Sequence, residues 1–214
     1  MKFTTTLASI LIATSGPVFA GTETRQVMRE DIRMEPPSSS IFNAGRLELQ
    51  SGSGAFWAFN TDGSDGGHID YSITAYRLGV MLSDVKGDGW LRGNTELLLE
   101  GFYSSVFQGA GDWLAGGTVF LRYNFVQPEE KWIPYVQVGA GGLWNDVYKE
   151  NIQSYIGQSF EVNLQASVGL RYQFNQKWGA MVEGGYRYIS NFDNAERDAG
   201  LNSAGAMIGL IRTF

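Results

Sequence analysis

From Phe160 to Phe174 every even position is apolar and every odd position is polar or glycine. The even set runs Phe160, Val162, Leu164, Ala166, Val168, Leu170, Tyr172 and Phe174. Between them stand Glu161, Asn163, Gln165, Ser167, Gly169, Arg171 and Gln173. A period of two means an extended strand with one apolar and one hydrophilic face. Strands of soluble sheets are usually about five or six residues long. This one exceeds the roughly ten residues that a tilted strand needs to cross a bilayer, and it is greasy on one side only, as a barrel wall must be.

The same alternation recurs along the chain, broken by turn residues. It predicts strands over 44–59, 70–82, 92–108, 112–126, 131–146, 158–174, 177–192 and 202–214. The expected fold class is therefore all-β, an eight-stranded antiparallel up-and-down transmembrane β-barrel. Short connections at 127–130 and 175–176 alternate with longer ones at 60–69, 147–157 and 193–201. Outer-membrane barrels have this asymmetry, with short periplasmic turns and longer external loops. A chain starting in the periplasm sends strand seven outward, so Ser190 falls at the cell-surface end.

Charge placement assigns the two faces. Arg46, Glu48, Arg77, Glu96, Glu100, Arg122, Glu161, Arg171, Glu183 and Arg187 all lie on the polar phase. An Arg or Lys on the lipid face costs about 2–4 kcal/mol at mid-bilayer. These side chains are expected in the lumen, five Arg facing five Glu, and an eight-stranded barrel is narrow enough to be filled by them. The opposite phase carries Trp113, Tyr123, Phe125, Trp132, Trp144, Tyr172, Phe174 and Trp178, mostly near strand ends, where interfacial girdles form. A soluble lipocalin-like barrel would reverse the faces, apolar inside and charged outside; it leaves the aromatic strand ends unexplained.

The first twenty residues hold Lys2, an apolar run from Leu7 to Ala13, and Val18-Phe19-Ala20 before Gly21. That pattern reads as a secretory signal peptide removed after Ala20; Thr14, Ser15, Gly16 and Pro17 break the run too early for a spanning helix. The domain reading is a signal peptide at 1–20, a flexible periplasmic lead at 21–43 containing Pro36-Pro37 and three serines, and an outer-membrane barrel at 44–214. The expected location is the outer membrane of a Gram-negative bacterium.

Other chemistry is thin. The chain has no cysteine, which excludes disulfides and thiolate metal sites. Its net charge of −6 comes without a basic run, which argues against nucleic acid. No cofactor is expected. The loop Asp62-Gly63-Ser64-Asp65-Gly66-Gly67 lacks the ligand spacing of a calcium loop, and Asp193, Glu196 and Asp198 read as a solvated face.

Strand seven ends Gly185-Tyr186-Arg187-Tyr188-Ile189-Ser190-Asn191, and Gly200-Leu201-Asn202-Ser203 follows its loop. With Leu91-Arg92-Gly93-Asn94, Leu121-Arg122-Tyr123-Asn124-Phe125 and Trp132-Ile133-Pro134-Tyr135-Val136, this resembles the lipid A 3-O-deacylase family, also called acyloxyacyl hydrolase-like proteins. The resemblance covers residues 44–214. It implies an eight-stranded outer-membrane enzyme that hydrolyses the 3-O-linked acyl chain of lipid A, with lipid A or lipopolysaccharide as partner. Phe214, in phase with Ile208 and Leu210, resembles the aromatic ending recognised by the barrel assembly machinery.

The family motif is His-x-Ser-Asn with a Glu a dozen residues on. Aligned on Ser190-Asn191, it puts Tyr188 in the place of the His and Asn202 in the place of the Glu. The resemblance thus implies candidate site residues Ser190, Asn191, Tyr188 and Asn202, with both partners of the nucleophile changed. A serine hydroxyl needs a base, and the base needs an orienting group. A phenol is a poor base at neutral pH, and a carboxamide cannot stabilise an imidazolium. The lone histidine, His68, sits in the first external loop and reads as a solvated side chain, the alternative being an approach to Ser190, since strands one and eight adjoin in a closed barrel. Phase puts Tyr188 and Ser190 on the lipid face at the outer leaflet. The favoured reading is a divergent or inactive member acting as a lipid-interacting or structural protein. The alternative is an active ester hydrolase using Ser190 with an unconventional base.

Overall fold

The computed structural model describes residues 39–59, 69–197 and 199–214. The expected signal peptide, residues 21–38 of the lead, His68 and Asp198 lie outside the described residues. Eight strands follow in order: β1 Leu47–Ala58, β2 Asp70–Met81, β3 Gly93–Gln108, β4 Trp113–Phe125, β5 Trp132–Asn145, β6 Phe160–Gln173, β7 Trp178–Ser190 and β8 Leu201–Thr213. Each pairs antiparallel with the next, and β1 pairs with β8 to close the cylinder. Closure satisfies every ladder and leaves no edge, which hydrocarbon demands.

Turn chemistry ends the strands where the alternation stops. Between β6 and β7 the side-chain oxygen of Asn175 accepts the N–H groups of Lys177 and Trp178, at 2.8 and 3.0 Å, an Asx turn. Between β3 and β4, Gly109 and Gly111 take φ of 111° and 77°, values that an L side chain resists. This external connection is short, whereas the periplasmic β2–β3 turn, residues 82–92, is long and carries a 3-10 turn at Gly89–Leu91. The alternation of short and long connections therefore holds only in part. The longer loops after β5 and β7 still mark the external end.

The wall is apolar outside. Leu99, Val119, Leu121, Val138, Val168, Ile208 and Leu210 are exposed, while Glu48, Arg77, Glu96, Glu100, Arg122, Glu161, Arg171, Glu183 and Arg187 are buried in the lumen. That polarity is the reverse of a lipocalin and removes the soluble alternative. Rings cluster at both rims: Trp132 with Tyr172 and Tyr123 with Phe125 at one, Trp144 with Phe160 at the other.

The lumen is packed in layers. Arg77 donates from Nε to Glu100 at 2.7 Å and from Nη1 and Nη2 to Glu183 at 2.8 and 3.0 Å, while Tyr135 donates its hydroxyl to Glu183 at 2.8 Å. Below, Arg171 meets Glu48, and Arg122 reaches Gln137, Gln50 and Glu96. Above, Arg187 lies between the rings of Phe56 and Phe102, 5.4 and 4.3 Å from their centroids. Two glycines make room: Gly79 lies against the Glu96 carboxylate, and Gly169 lies under the Tyr135 ring, where in each case a Cβ would collide.

Two expectations need correction. Arg46 precedes β1 and is exposed, donating from Nη1 to the carbonyl of Phe214 at 3.2 Å, so four arginines rather than five face the lumen glutamates. Glu161 accepts the N–H groups of Gly157 and Gln158 and the side-chain amide of Asn191. Residues 39–43, expected to belong to the flexible lead, are packed: Ile41 and Phe42 are buried with Met81, Val126 and Ile133, closing the periplasmic mouth. Phe42 carries Arg171 on its ring at 4.9 Å, and its carbonyl accepts from Asn94 at 2.7 Å. The pair of apolar residues was readable in the sequence, but alternation says nothing about a segment that folds across a mouth. At the external end Tyr71, Leu114, Leu143, Tyr155, Ile156 and Leu201 form an apolar lid.

Candidate functional site

The external ends of β7 and β8 form the candidate site. Strand register sets Tyr188 opposite Asn202 and Ile189 opposite Leu201, and on the other side pairs Ser190 with Val162 of β6. Tyr186, Tyr188, Ser190 and Asn202 therefore share the outward phase on adjacent strands. The structure brings three of the four residues singled out from the sequence onto one face.

Their environments differ from those expected. Ser190 keeps the lipid-facing phase but is only 2% exposed. Its Oγ accepts the N–H of Phe192 at 3.0 Å, which ties the hydroxyl into the turn that follows. That turn is strained, since Phe192 and Asp193 adopt φ of 53° and 63°, a region an aromatic residue rarely occupies. Phe192 itself is exposed beside the serine. Phase thus set the direction of Ser190 toward the lipid face, but the residue is buried there with its hydroxyl engaged by the following turn.

Asn191 is on the opposite phase. It is buried, donates to Glu161 at 3.3 Å and to the Arg197 carbonyl at 3.1 Å, and accepts the N–H groups of Asn194 and Ala195. Its carboxamide organises the β7–β8 loop. Arg197 extends the same construction, donating to the carbonyls of Tyr148, Glu150 and Gln153 and so fastening this loop to the one after β5. Asn202 uses its side-chain oxygen to accept the hydroxyl of Tyr186 at 2.5 Å. Tyr188 is half-buried, with Gly200 (φ 72°) drawn so close to its ring that no Cβ would fit.

Sequence reasoning missed Tyr186 as the partner of Asn202. The signal was present, since Tyr186 lies two residues before Tyr188 on the same phase, but cross-strand register was needed to pair it. His68 lies outside the described residues, so its expected neighbourhood is not part of this geometry. Among the described residues no group of three or more His, Asp or Glu side chains is arranged to hold a metal.

A hydroxyl-rich patch at the external end of an outward-facing barrel wall invites comparison with known lipid-modifying barrels. A family model described as Lipid A 3-O-deacylase (PagL) matches residues 70–210. The chain belongs to this family. Its fold is similar to the crystal structure of Neisserial surface protein A (NspA), at TM-score 0.57 and 13% identity, over 78% of this chain and 97% of that one. It is also similar to the crystal structure of the outer membrane enzyme PagL, at TM-score 0.52 and 17% identity, over 76% of this chain and 97% of that one. No curated protein sequence matches it. These likenesses agree with the closed eight-stranded wall, and the deacylase-family chain is an outer-membrane β-barrel of a Gram-negative bacterium.

Proposed function

We propose that this chain is a divergent deacylase-family barrel that engages lipid A or lipopolysaccharide in the outer leaflet without cleaving it. The observation that carries this reading is the state of Ser190, which is covered and accepts a backbone N–H from the turn that follows it. Attack on an ester requires a reachable hydroxyl whose proton passes to an oriented base. Tyr188 stands in the family's histidine position, and Asn202 in the glutamate position is engaged by Tyr186. Neither phenol nor carboxamide supplies a general base at neutral pH.

The surrounding surface suits recognition. Tyr186, exposed Phe59 and exposed Trp57 gather at the outer rim, and Phe59 lies 6.2 Å from the Tyr186 ring. Such rings sit at the boundary between acyl chains and sugar headgroups. The lumen takes no part, because it is filled with ion pairs and capped by apolar side chains at both ends.

Mass spectra of lipid A from cells making the protein test this directly. The expected spectrum is that of cells without it, for the parent chain and for Ser190→Ala alike. Loss of a 3-O-linked acyl chain that disappears in Ser190→Ala would instead establish the active-hydrolase alternative and overturn the proposal.

A further inference from the structure

The described strands contain five arginines, and four of them (Arg77, Arg122, Arg171 and Arg187) are buried in the lumen facing glutamates. Arg212 is the exception. It stands on the outward phase of β8 with Ile208 and Leu210, at the periplasmic end, half-exposed. Register places Leu49 of β1 on one side of it and Trp178 of β7 on the other. Its guanidinium carbon lies 4.8 Å from the centre of the Trp178 ring and 5.3 Å from that of Phe214. Among the described residues no carboxylate or carbonyl accepts a hydrogen bond from it.

We infer that Arg212, framed by Trp178 and Phe214, is a seat for the phosphodiester of a glycerophospholipid in the periplasmic leaflet. Both rings lie within cation–π distance of the guanidinium, an interaction that does not use up its N–H donors. The aromatic rim fixes the depth, since Trp132, Tyr172 and Trp178 mark the boundary between hydrocarbon and headgroups. The anionic acceptor found at that depth outside the protein is the lipid phosphate, whose oxygens match a guanidinium fork. Further positive charge stands at the same corner: Arg46 and Lys177 are both exposed, Arg46 bonded to the Phe214 carbonyl and Lys177 accepting through its own carbonyl from Thr213. Leu49, Leu210 and Phe214 continue the seat as exposed apolar wall on which acyl chains lie. This site is at the opposite end of the barrel from Ser190 and independent of any action there.

Native mass spectrometry of the full-length barrel in detergent tests the seat, with phosphatidylglycerol and chain-matched diacylglycerol as probes. The parent protein should retain phosphatidylglycerol and release diacylglycerol. Arg212→Gln should lower phosphatidylglycerol retention about tenfold, and Arg212→Lys should keep an intermediate amount. Trp178→Leu, which keeps the charge but removes half of the frame, should also lose retention. Heat-modifiable gel mobility identifies which variants are folded. Retention of diacylglycerol equal to that of phosphatidylglycerol, or unchanged phosphatidylglycerol retention in any folded Arg212→Gln or Trp178→Leu protein, overturns the assignment.

Discussion

Replacing Arg77 by methionine removes the cation on which the middle of the lumen is built. Three hydrogen bonds go with it, at 2.7, 2.8 and 3.0 Å, to Glu100 and Glu183. All three side chains are buried, at 2%, 1% and 4% exposure. Methionine approximates the volume, so the change is electrostatic rather than a cavity. Glu183 is then left with the Tyr135 hydroxyl and a distant Arg122 at 4.0 Å, and Glu100 with Arg187 at 3.7 Å and the Gln165 amide at 3.5 Å. Deleting one partner of a buried ion pair typically costs about 3–5 kcal/mol, because the remaining charge has lost its hydration without compensation. At about 1.4 kcal/mol per decade, the folding equilibrium should fall by roughly two to three and a half orders of magnitude. The assay is guanidinium unfolding of the barrel refolded into lipid vesicles, followed by tryptophan fluorescence. Adding Glu183→Met to Arg77→Met should restore part of the loss, since both ends of the bidentate pair are then apolar. A cost below about 1 kcal/mol for Arg77→Met, with no recovery in the double variant, would mean that lumen water solvates these charges and would refute the reasoning.

Three other outcomes are expected. Phe42→Ala should lower stability by about 3–5 kcal/mol in the same unfolding assay, because it empties the periplasmic plug and uncovers Arg171. Gly79→Ala should cost about 1–3 kcal/mol by driving a methyl group into the Glu96 carboxylate, whereas Gly101→Ala, with open space at its Cβ position, should be nearly neutral. N-terminal sequencing of the protein taken from outer membranes should read from Gly21, the residue after the expected signal-peptide cleavage.

Much of this architecture was written in the alternation. Eight spans, their ends to within a few residues, and the separation of greasy from charged faces all follow from side chains that alternate across a pleated strand. Membership of the deacylase family was legible in the β7 and β8 fragments. Local pattern could not say how far a loop folds back. Ser190 has the phase of a lipid-facing residue but is buried and bonded to the turn at Phe192, and Asn191 is engaged by the loop it organises. Nor did alternation reveal that Phe42 leaves the lead to enter the barrel, since a two-residue apolar step carries no period.

The chain itself determined that one stripe of each strand would be apolar and the other ionic, because that depends only on spacing along an extended backbone. Only closure of the cylinder decided which charges meet. Arg77 and Glu183 are 106 positions apart and touch because β2 and β7 face each other across a narrow lumen at a register set by every strand between them. Tyr186 reaches Asn202 and Arg212 settles between Trp178 and Phe214 for the same reason: contacts between distant segments are properties of the pairing, not of the neighbours in sequence.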